Sequence, residues 1–240
     1  MTSATTISTS LPSCASDEVA SRLEAVRARI ERAGGDPQRI RVVGVTKGFG
    51  PDAVDAAIRA GLHDVGENYA AELVDKARVL DSEDHPLQNL VWHFLGAVQR
   101  NKVAELAPFV GVWQGVARVV EGERIARFAP GAAVMVQVDT TGLSGRNGCS
   151  PDETAPVVQA LRGLDLRVVG LMTVAAPGPA DDARRSFDLV GRLADELGLA
   201  ERSMGMSDDL EAAVAAGTTM VRIGRALFGE RPARSGEGAA

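Results

Sequence analysis

Residues 41–50 read "RVVGVTKGFG", an apolar strand pattern that ends in a lysine. Val42, Val43 and Val45 are β-branched, which favours a strand, and two glycines break the pattern directly afterwards. Strand signals of this kind recur along the chain, and helix patterns separate them. The stretch therefore predicts the first strand of an alternating β/α fold.

Seven further strand candidates follow the first, which we place at residues 40–47. They lie at 63–67, 91–96, 111–115, 133–139, 167–174, 203–206 and 219–224. A helix candidate fills every gap, and an additional amphipathic helix, "DEVASRLEAVRARIERAG" (17–34), precedes the first strand. Strict β/α alternation requires a parallel sheet with helical crossovers, and eight such units in this length fit a closed (β/α)₈ TIM barrel.

A doubly wound open sheet is the structural alternative. It would carry a nucleotide loop after its first strand, but "GVTKGFGPD" (44–52) is not G-x-G-x-x-G, and no P-loop pattern is present. No linker or shift in composition divides the chain. We therefore predict one α/β domain at residues 17–232, a single TIM barrel with an extra N-terminal helix. The Ser- and Thr-rich residues 1–16 and the end, 233–240, are predicted to be disordered tails.

Composition excludes several classes of function. The 240 residues carry a formal net charge of −6, and only 4% are aromatic, so we expect no nucleic-acid partner. No apolar stretch approaches the roughly 20 residues that span a bilayer. Cys14 and Cys149 do not form a disulfide framework, and the start of the chain does not resemble a secretory signal, so we expect a cytoplasmic protein.

The lysine at the end of the first strand stands out because arginine is the usual cation of this chain. Of 26 basic residues only Lys47, Lys76 and Lys102 are lysines, and the last two fall on helix candidates, where we expect solvent. A structural alternative is an ion pair between Lys47 and Glu67 on the neighbouring strand. We favour chemistry, because an amine in partly apolar surroundings loses its proton more easily and attacks carbonyls to form a Schiff base.

Two loops at the last strands form a candidate phosphate site. In "SMGMSDDLEAAVAAG" (203–217), Ser207 is a good N-cap for the next helix, whose N-terminus would face an anion. Gly224, after the last strand, would let the backbone approach the same anion. The alternative is that Ser207 only caps the helix, and the two aspartates after it would repel an anion unless they point away.

An arginine and the histidines complete the set of candidates. Arg222 lies inside the apolar strand "MVRIG" (220–224), so its guanidinium needs a partner, either a carboxylate or the ring nitrogen of a cofactor. The three histidines have no ligand spacing among themselves or with the cysteines, so we predict no metal site. His93 is expected to be a hydrogen-bonded core residue.

Several stretches in one order resemble the pyridoxal-phosphate homeostasis protein family. They are "VTKG", "VGENYAAELVDK", "WHFLGAVQRNK", "GLMTV" and "SMGMSDDLEAAVAAGTTMVRIG" with "LFGER". That family is similar in fold to the barrel domain of bacterial alanine racemase, a fold-type III arrangement. The resemblance implies a protein of intracellular cofactor homeostasis and delivery, with apo forms of pyridoxal-phosphate enzymes as candidate recipients and a monomer or weak dimer as its state.

The resemblance also implies a role for each site residue. Lys47 would hold pyridoxal 5′-phosphate as a Schiff base, and Asn68 would lie beside it. Ser207 and Gly224 would hold the phosphate, and Arg222 would face the pyridine nitrogen. No metal and no catalytic residue are assigned.

The chain departs from the family at four places. Arg225 stands where a Thr or Ser is usual, Asp139 where Asn is common, Arg146 near a usual lysine, and Gly115-Val116-Ala117 where "S-V-D" is common. The guanidinium of Arg225 either reaches the phosphate or points to solvent. The strand pattern favours solvent, so we expect Arg225→Thr to tighten cofactor binding.

Two features favour a protein that binds the cofactor over an enzyme that uses it. An arginine beside the pyridine nitrogen disfavours protonation there, which makes the ring a poorer electron sink. The racemases use a second-face tyrosine that comes with a second domain, which we do not find in this chain, and its only tyrosine is Tyr69. We therefore favour cofactor binding and delivery. The alternatives are a weak pyridoxal-phosphate-dependent amino-acid racemase or lyase and a Schiff-base aldolase for a phosphorylated sugar.

Overall fold

The computed structural model describes residues 16–82, 89–176 and 178–231. Eight parallel strands form a closed barrel in sequence order, and the last strand pairs with the first. The strands are β1 (Arg41–Val45), β2 (Asp64–Glu67), β3 (Val91–Phe94), β4 (Val110–Val116), β5 (Ala132–Gln137), β6 (Leu166–Met172), β7 (Glu201–Ser203) and β8 (Met220–Ile223). The predicted TIM barrel is confirmed, and the doubly wound alternative is excluded.

Helices follow the strands around the barrel. They are α1 (Ser16–Arg32), α2 (Pro51–Arg59), α3 (Ala70–Ser82), α4 (Val103–Leu106), α5 (Val119–Phe128), α6 (Pro151–Arg162), α7 (Ala180–Glu196), α8 (Leu210–Ala215) and α9 (Arg225–Phe228). The first is the predicted extra helix, and its apolar stripe of Val19, Leu23, Val26 and Ile30 is buried against its neighbours α2, α8 and α9. Within the described residues no helix is both long and apolar enough to cross a membrane.

Strand side chains alternate between two environments, as the pleat requires. Outward-facing residues such as Val65 and Trp113 join the core between barrel and helices. Inward-facing residues meet across the barrel, where the Gln114 side chain on β4 contacts Ser203 on β7. Inward-facing residues of the strands therefore include the polar side chains Gln114 and Ser203.

The seventh strand lies earlier than predicted. We expected residues 203–206, whereas β7 ends at Ser203. Gly205 adopts a φ of 93°, and a Cβ there would stand 2.5 Å from the Cβ of Ala213, so the chain turns away from the extended form. The predicted tails lie outside the described residues, apart from Ser16.

Candidate functional site

The six predicted site residues line a single cavity of about 630 Å³ at the C-terminal ends of the strands, the usual place for a TIM-barrel site. These residues are Lys47, Asn68, Ser207, Arg222, Gly224 and Arg225. They lie on or after β1, β2, β7 and β8, which are consecutive around the barrel because β8 pairs with β1. Closure of the barrel therefore brings together residues that are 178 positions apart in the chain.

Lys47 follows β1 and is half-buried in the cavity wall. Among the described residues, no hydrogen bond or ion pair holds its Nζ. Burial lowers the pKa of this amine below its ordinary value, and the positive charges of Arg231 and Arg222 lower it further. A larger share of the lysine is thus the neutral nucleophile at neutral pH.

The expectation that Lys76 meets solvent is wrong. Its side chain is buried, with Nζ 2.6 Å from Glu67 Oε1 and 2.8 Å from the carbonyl oxygen of Thr46. The alternative pairing of Lys47 with Glu67 is also wrong, because Glu67 is occupied by Lys76. Lys76 lies three residues after Leu73 and four before Leu80, both buried, and this helical spacing was the overlooked signal.

Arg222 is buried, but no carboxylate of the described residues forms an ion pair with it. Its Nη1 donates to the carbonyl oxygen and the hydroxyl of Ser203, at 2.6 and 2.7 Å, and its Nη2 donates to the carbonyl oxygen of Thr173 at 2.6 Å. Burial lowers the pKa of Arg222 to about 10, so it stays charged at neutral pH. Three of its five N–H donors are used by these bonds, which leaves donors for a ligand.

The loops after β7 and β8 meet at Ser207, although not in the predicted way. Ser207 is not an N-cap, since α8 begins at Leu210 and Asp209 precedes it. The Asp209 carboxylate accepts a hydrogen bond from the Met206 backbone at 2.5 Å, which stabilises a turn before the helix. The Ser207 hydroxyl instead accepts from the backbone N–H of Ala226 at 3.4 Å and so connects the two loops.

Arg225 is an exposed residue, as expected, and its guanidinium pairs with an acidic residue of the cavity lining. Its Nη2 lies 2.6 and 2.5 Å from the two carboxylate oxygens of Asp208, a residue that also lines the cavity. The pair joins the two loops at the mouth of the cavity, where Arg225 is about half exposed. The expected repulsion between Asp208 and a bound anion is therefore compensated by the residue that departs from the family.

Two further departures have structural causes. A Cβ at Gly115 would stand 2.0 Å from the carbonyl oxygen of Gly96, and one at Gly96 would stand 2.1 Å from that of Asn68. The ends of β2, β3 and β4 thus approach closely enough to need glycine, and this contact fixes the backbone of Asn68. Asp139 does not line the cavity, because its carboxylate accepts two hydrogen bonds from Thr141 within its own loop.

Several residues of the site lie in stretches that carry the resemblance or in a predicted strand, but were assigned no role from the sequence. Arg231 lines the cavity and lies directly after "LFGE", while Thr173 and Ser203 hold Arg222. Ser203 is in turn bonded to Gln114, a polar residue inside the apolar strand "GVWQG". A polar side chain within an apolar strand was the available signal. No group of three or more metal-ligating side chains occurs in the part of the chain that the structure describes.

Comparisons with known proteins show the family of the chain. The family model described as "Alanine racemase, N-terminal domain" matches residues 16–232. The pyridoxal phosphate homeostasis protein of Pseudomonas aeruginosa is 37% identical over 89% of this chain and 96% of its own length. The protein of the same name from Escherichia coli is 35% identical over 90% of this chain and 97% of its own length.

A solved structure gives the same result. PipY of Synechococcus elongatus, determined with pyridoxal phosphate bound, superposes with a TM-score of 0.74 and 28% sequence identity. The match covers 88% of this chain and 100% of PipY. The chain therefore belongs to the alanine racemase N-terminal-domain family and, within it, to the pyridoxal phosphate homeostasis proteins.

Proposed function

We propose that the chain binds pyridoxal 5′-phosphate in this cavity, holds it as a Schiff base on Lys47 and serves intracellular homeostasis of the cofactor. One observation carries the proposal: the Lys47 amine and the Arg222 guanidinium line the same cavity, and neither forms an ion pair with a carboxylate of the described residues. Relatives named for pyridoxal phosphate homeostasis, and PipY with the cofactor bound, support it.

The residues present fit the cofactor group by group. Lys47 supplies a nucleophilic amine to an aldehyde, and the unused N–H donors of Arg222 suit a ring nitrogen. Ser207 and Gly224 lie where the loops after β7 and β8 meet and would hold the phosphate, and Asn68 borders the same space. When bound, the cofactor supplies an aldehyde and an electron-withdrawing ring.

Binding and delivery fit the site better than turnover. Arg222 remains charged, and a second positive charge on the ring nitrogen beside it would be repelled. Racemisation also needs an acid or base on each face of the cofactor. Besides Lys47, the described cavity lining offers the carboxylates of Glu230 and of Asp208, which is paired with Arg225, but no tyrosine, histidine or cysteine. As parts of the same proposal, the protein is cytoplasmic, is a monomer or weak dimer, and passes its cofactor to apo enzymes.

The absorption spectrum of the purified protein, before and after borohydride reduction, tests the proposal. Loading with pyridoxal phosphate should produce a visible band, and reduction should fix the adduct on Lys47. Lys47→Ala should lose both, whereas Lys102→Ala, on the half-exposed Lys102 side chain, should keep both. An adduct on Lys76 or Lys102, or no band in the parent protein, would overturn the proposal. A racemisation assay on the loaded protein would reveal the weak racemase instead.

A further inference from the structure

Five polar side chains form one hydrogen-bonded chain through the barrel interior. From Arg222 Nη1 the chain passes to the Ser203 hydroxyl at 2.7 Å, and from there to Gln114 Oε1 at 2.7 Å. It continues from Gln114 Nε2 to His93 Nδ1 at 2.7 Å, and from His93 Nε2 to Asp64 Oδ1 at 2.7 Å. The three middle residues are fully buried.

The chain joins two ends of the molecule. Arg222 lines the cofactor cavity, whereas Asp64 opens β2 at the opposite end of the barrel and borders a separate cavity there. Strands β2, β3 and β4 are neighbours, and so are β7 and β8, but β4 and β7 face each other across the barrel. The bond between Ser203 and Gln114 is therefore the link that crosses the interior.

The orientation of the Gln114 amide gives the hydrogen bonds of this chain their direction. Its NH₂ group lies against His93 Nδ1 and its oxygen against Ser203, so Nδ1 accepts from Gln114 and Gln114 Oε1 accepts from Ser203. At the other end the Asp64 carboxylate only accepts, so His93 Nε2 donates to it. A guanidinium only donates, so the Ser203 oxygen accepts from Arg222 and directs its single proton to Gln114.

We propose that Ser203, Gln114, His93 and Asp64 are positioning residues that hold Arg222 for an unprotonated ring nitrogen. Because the Ser203 proton is committed to Gln114, both N–H groups of Arg222 Nη1 are occupied on the Ser203 side. The remaining donors stay free for an acceptor in the cavity. This inference rests on the proposed function, because the feature that the hydrogen-bonded side chains select is the unprotonated ring nitrogen of pyridoxal phosphate.

Packing alone does not account for these residues. Inward positions of TIM-barrel strands are usually filled by bulky apolar side chains, and burying polar groups is unfavourable unless every one is paired. Here each of the three middle residues is hydrogen-bonded on both sides, and the series of bonds ends on Arg222, a buried cation of the cavity wall. The arrangement specifies the orientation of that cation.

Two ligands separate positioning from packing: pyridoxal phosphate and its 1-deaza analogue, which lacks the ring nitrogen. The parent protein should bind pyridoxal phosphate more tightly than the analogue. Gln114→Met, close in size but unable to continue the chain, should lose about three- to tenfold affinity for pyridoxal phosphate, the effect of one hydrogen bond. The same change should leave the affinity for the analogue nearly unaltered.

Trp113→Phe is the matched control. Trp113 is the adjacent residue on β4, is fully buried on the outer side, and its indole N–H has no partner among the described residues. This variant should keep the parental ratio of the two affinities. Equal losses for both ligands in Gln114→Met would show that Gln114 only packs, and would overturn the inference. A parent protein that binds neither ligand would refute the proposed function instead.

Ser203→Ala provides a second variant if Gln114→Met does not fold. It removes the hydroxyl that accepts directly from Arg222 and keeps only the carbonyl oxygen at 2.6 Å, so the ratio should fall at least as far as in Gln114→Met. In the ligand-free protein, the ¹⁵N resonances of the Arg222 guanidinium should change in Gln114→Met and stay parental in Trp113→Phe. Unchanged resonances in both variants would contradict the positioning role.

Discussion

Two lysines lie on opposite sides of the same strand ends and show what a partner does to a buried amine. Lys47 extends from β1 into the cavity without an ion pair among the described residues, and its pKa is lowered by burial. Lys76 reaches the outer side of β1 and β2 from α3 and pairs with Glu67 at 2.6 Å. The first is suited to react and the second to hold the fold.

The outer pair occupies the carboxylate at the end of the neighbouring strand. Glu67 ends β2, and its Oε1 accepts hydrogen bonds from Lys76 and from the hydroxyl of Thr46. Lys76 also binds the Thr46 carbonyl, so it fixes the backbone immediately before Lys47. Lys76 thus compensates the charge of Glu67 on the outer side and holds the backbone next to Lys47.

Breaking the outer pair should have the largest effect on the protein. Lys76→Met leaves the Glu67 carboxylate buried without its cation, and we expect a loss of about 3–5 kcal/mol in the free energy of unfolding. Urea denaturation followed by circular dichroism measures it. The matched change on the inner side, Lys47→Met, should alter stability by less than about 1 kcal/mol, because it leaves no opposite charge unpaired.

A double variant tests the cause of that loss. Adding Glu67→Gln to Lys76→Met removes the uncompensated charge, so part of the lost stability should return. If Lys76→Met alone unfolds as readily as the parent protein, the ion pair contributes nothing and the comparison between the two lysines fails.

The fold could be predicted from sequence because its signals are local. Each strand and helix has a hydrophobic periodicity that is recognisable within about ten residues. Strict alternation of strands and helices then allows only a few chain topologies. The same reasoning placed Lys47 at the end of the first strand and Arg222 in the last strand, and closure of the barrel brought them to one cavity. Only the position of β7 shifted, because the positive φ of Gly205 interrupts a pattern that still looks extended.

The partners of these residues could not be predicted in the same way. Lys76 pairs with Glu67, and Arg225 pairs with Asp208, because these side chains face each other after folding. Likewise, the link from Gln114 to Ser203 joins strands 89 residues apart. Residue type and spacing identify a polar position, but three-dimensional proximity decides what it binds.

The pair at the cavity mouth offers a second comparison, and the contact with Asp208 leads us to a different prediction for Arg225. Arg225→Thr leaves Asp208 without its cation beside the proposed phosphate position, so pyridoxal phosphate should bind about threefold more weakly, not more tightly. Fluorescence titration measures the change. Asp208→Asn combined with Arg225→Thr should restore affinity. Tighter binding by Arg225→Thr alone would show that the absent Thr or Ser hydroxyl affects affinity more than the unpaired charge of Asp208.

The smallest expected effect separates the two causes of the low pKa of Lys47. Burial is the larger cause and the exposed Arg231 the next, so Arg231→Gln should raise the pKa of Lys47 without restoring its ordinary value. The neutral amine then forms at higher pH, and the pH profile of the rate of adduct formation should move upward. Arg78→Gln, an exposed change on α3, should leave the profile in place. High salt should move the parental profile toward that of Arg231→Gln, since salt screens an exposed charge but not burial. An Arg231→Gln profile that coincides with the parental one would mean that burial and Arg222 alone prepare Lys47.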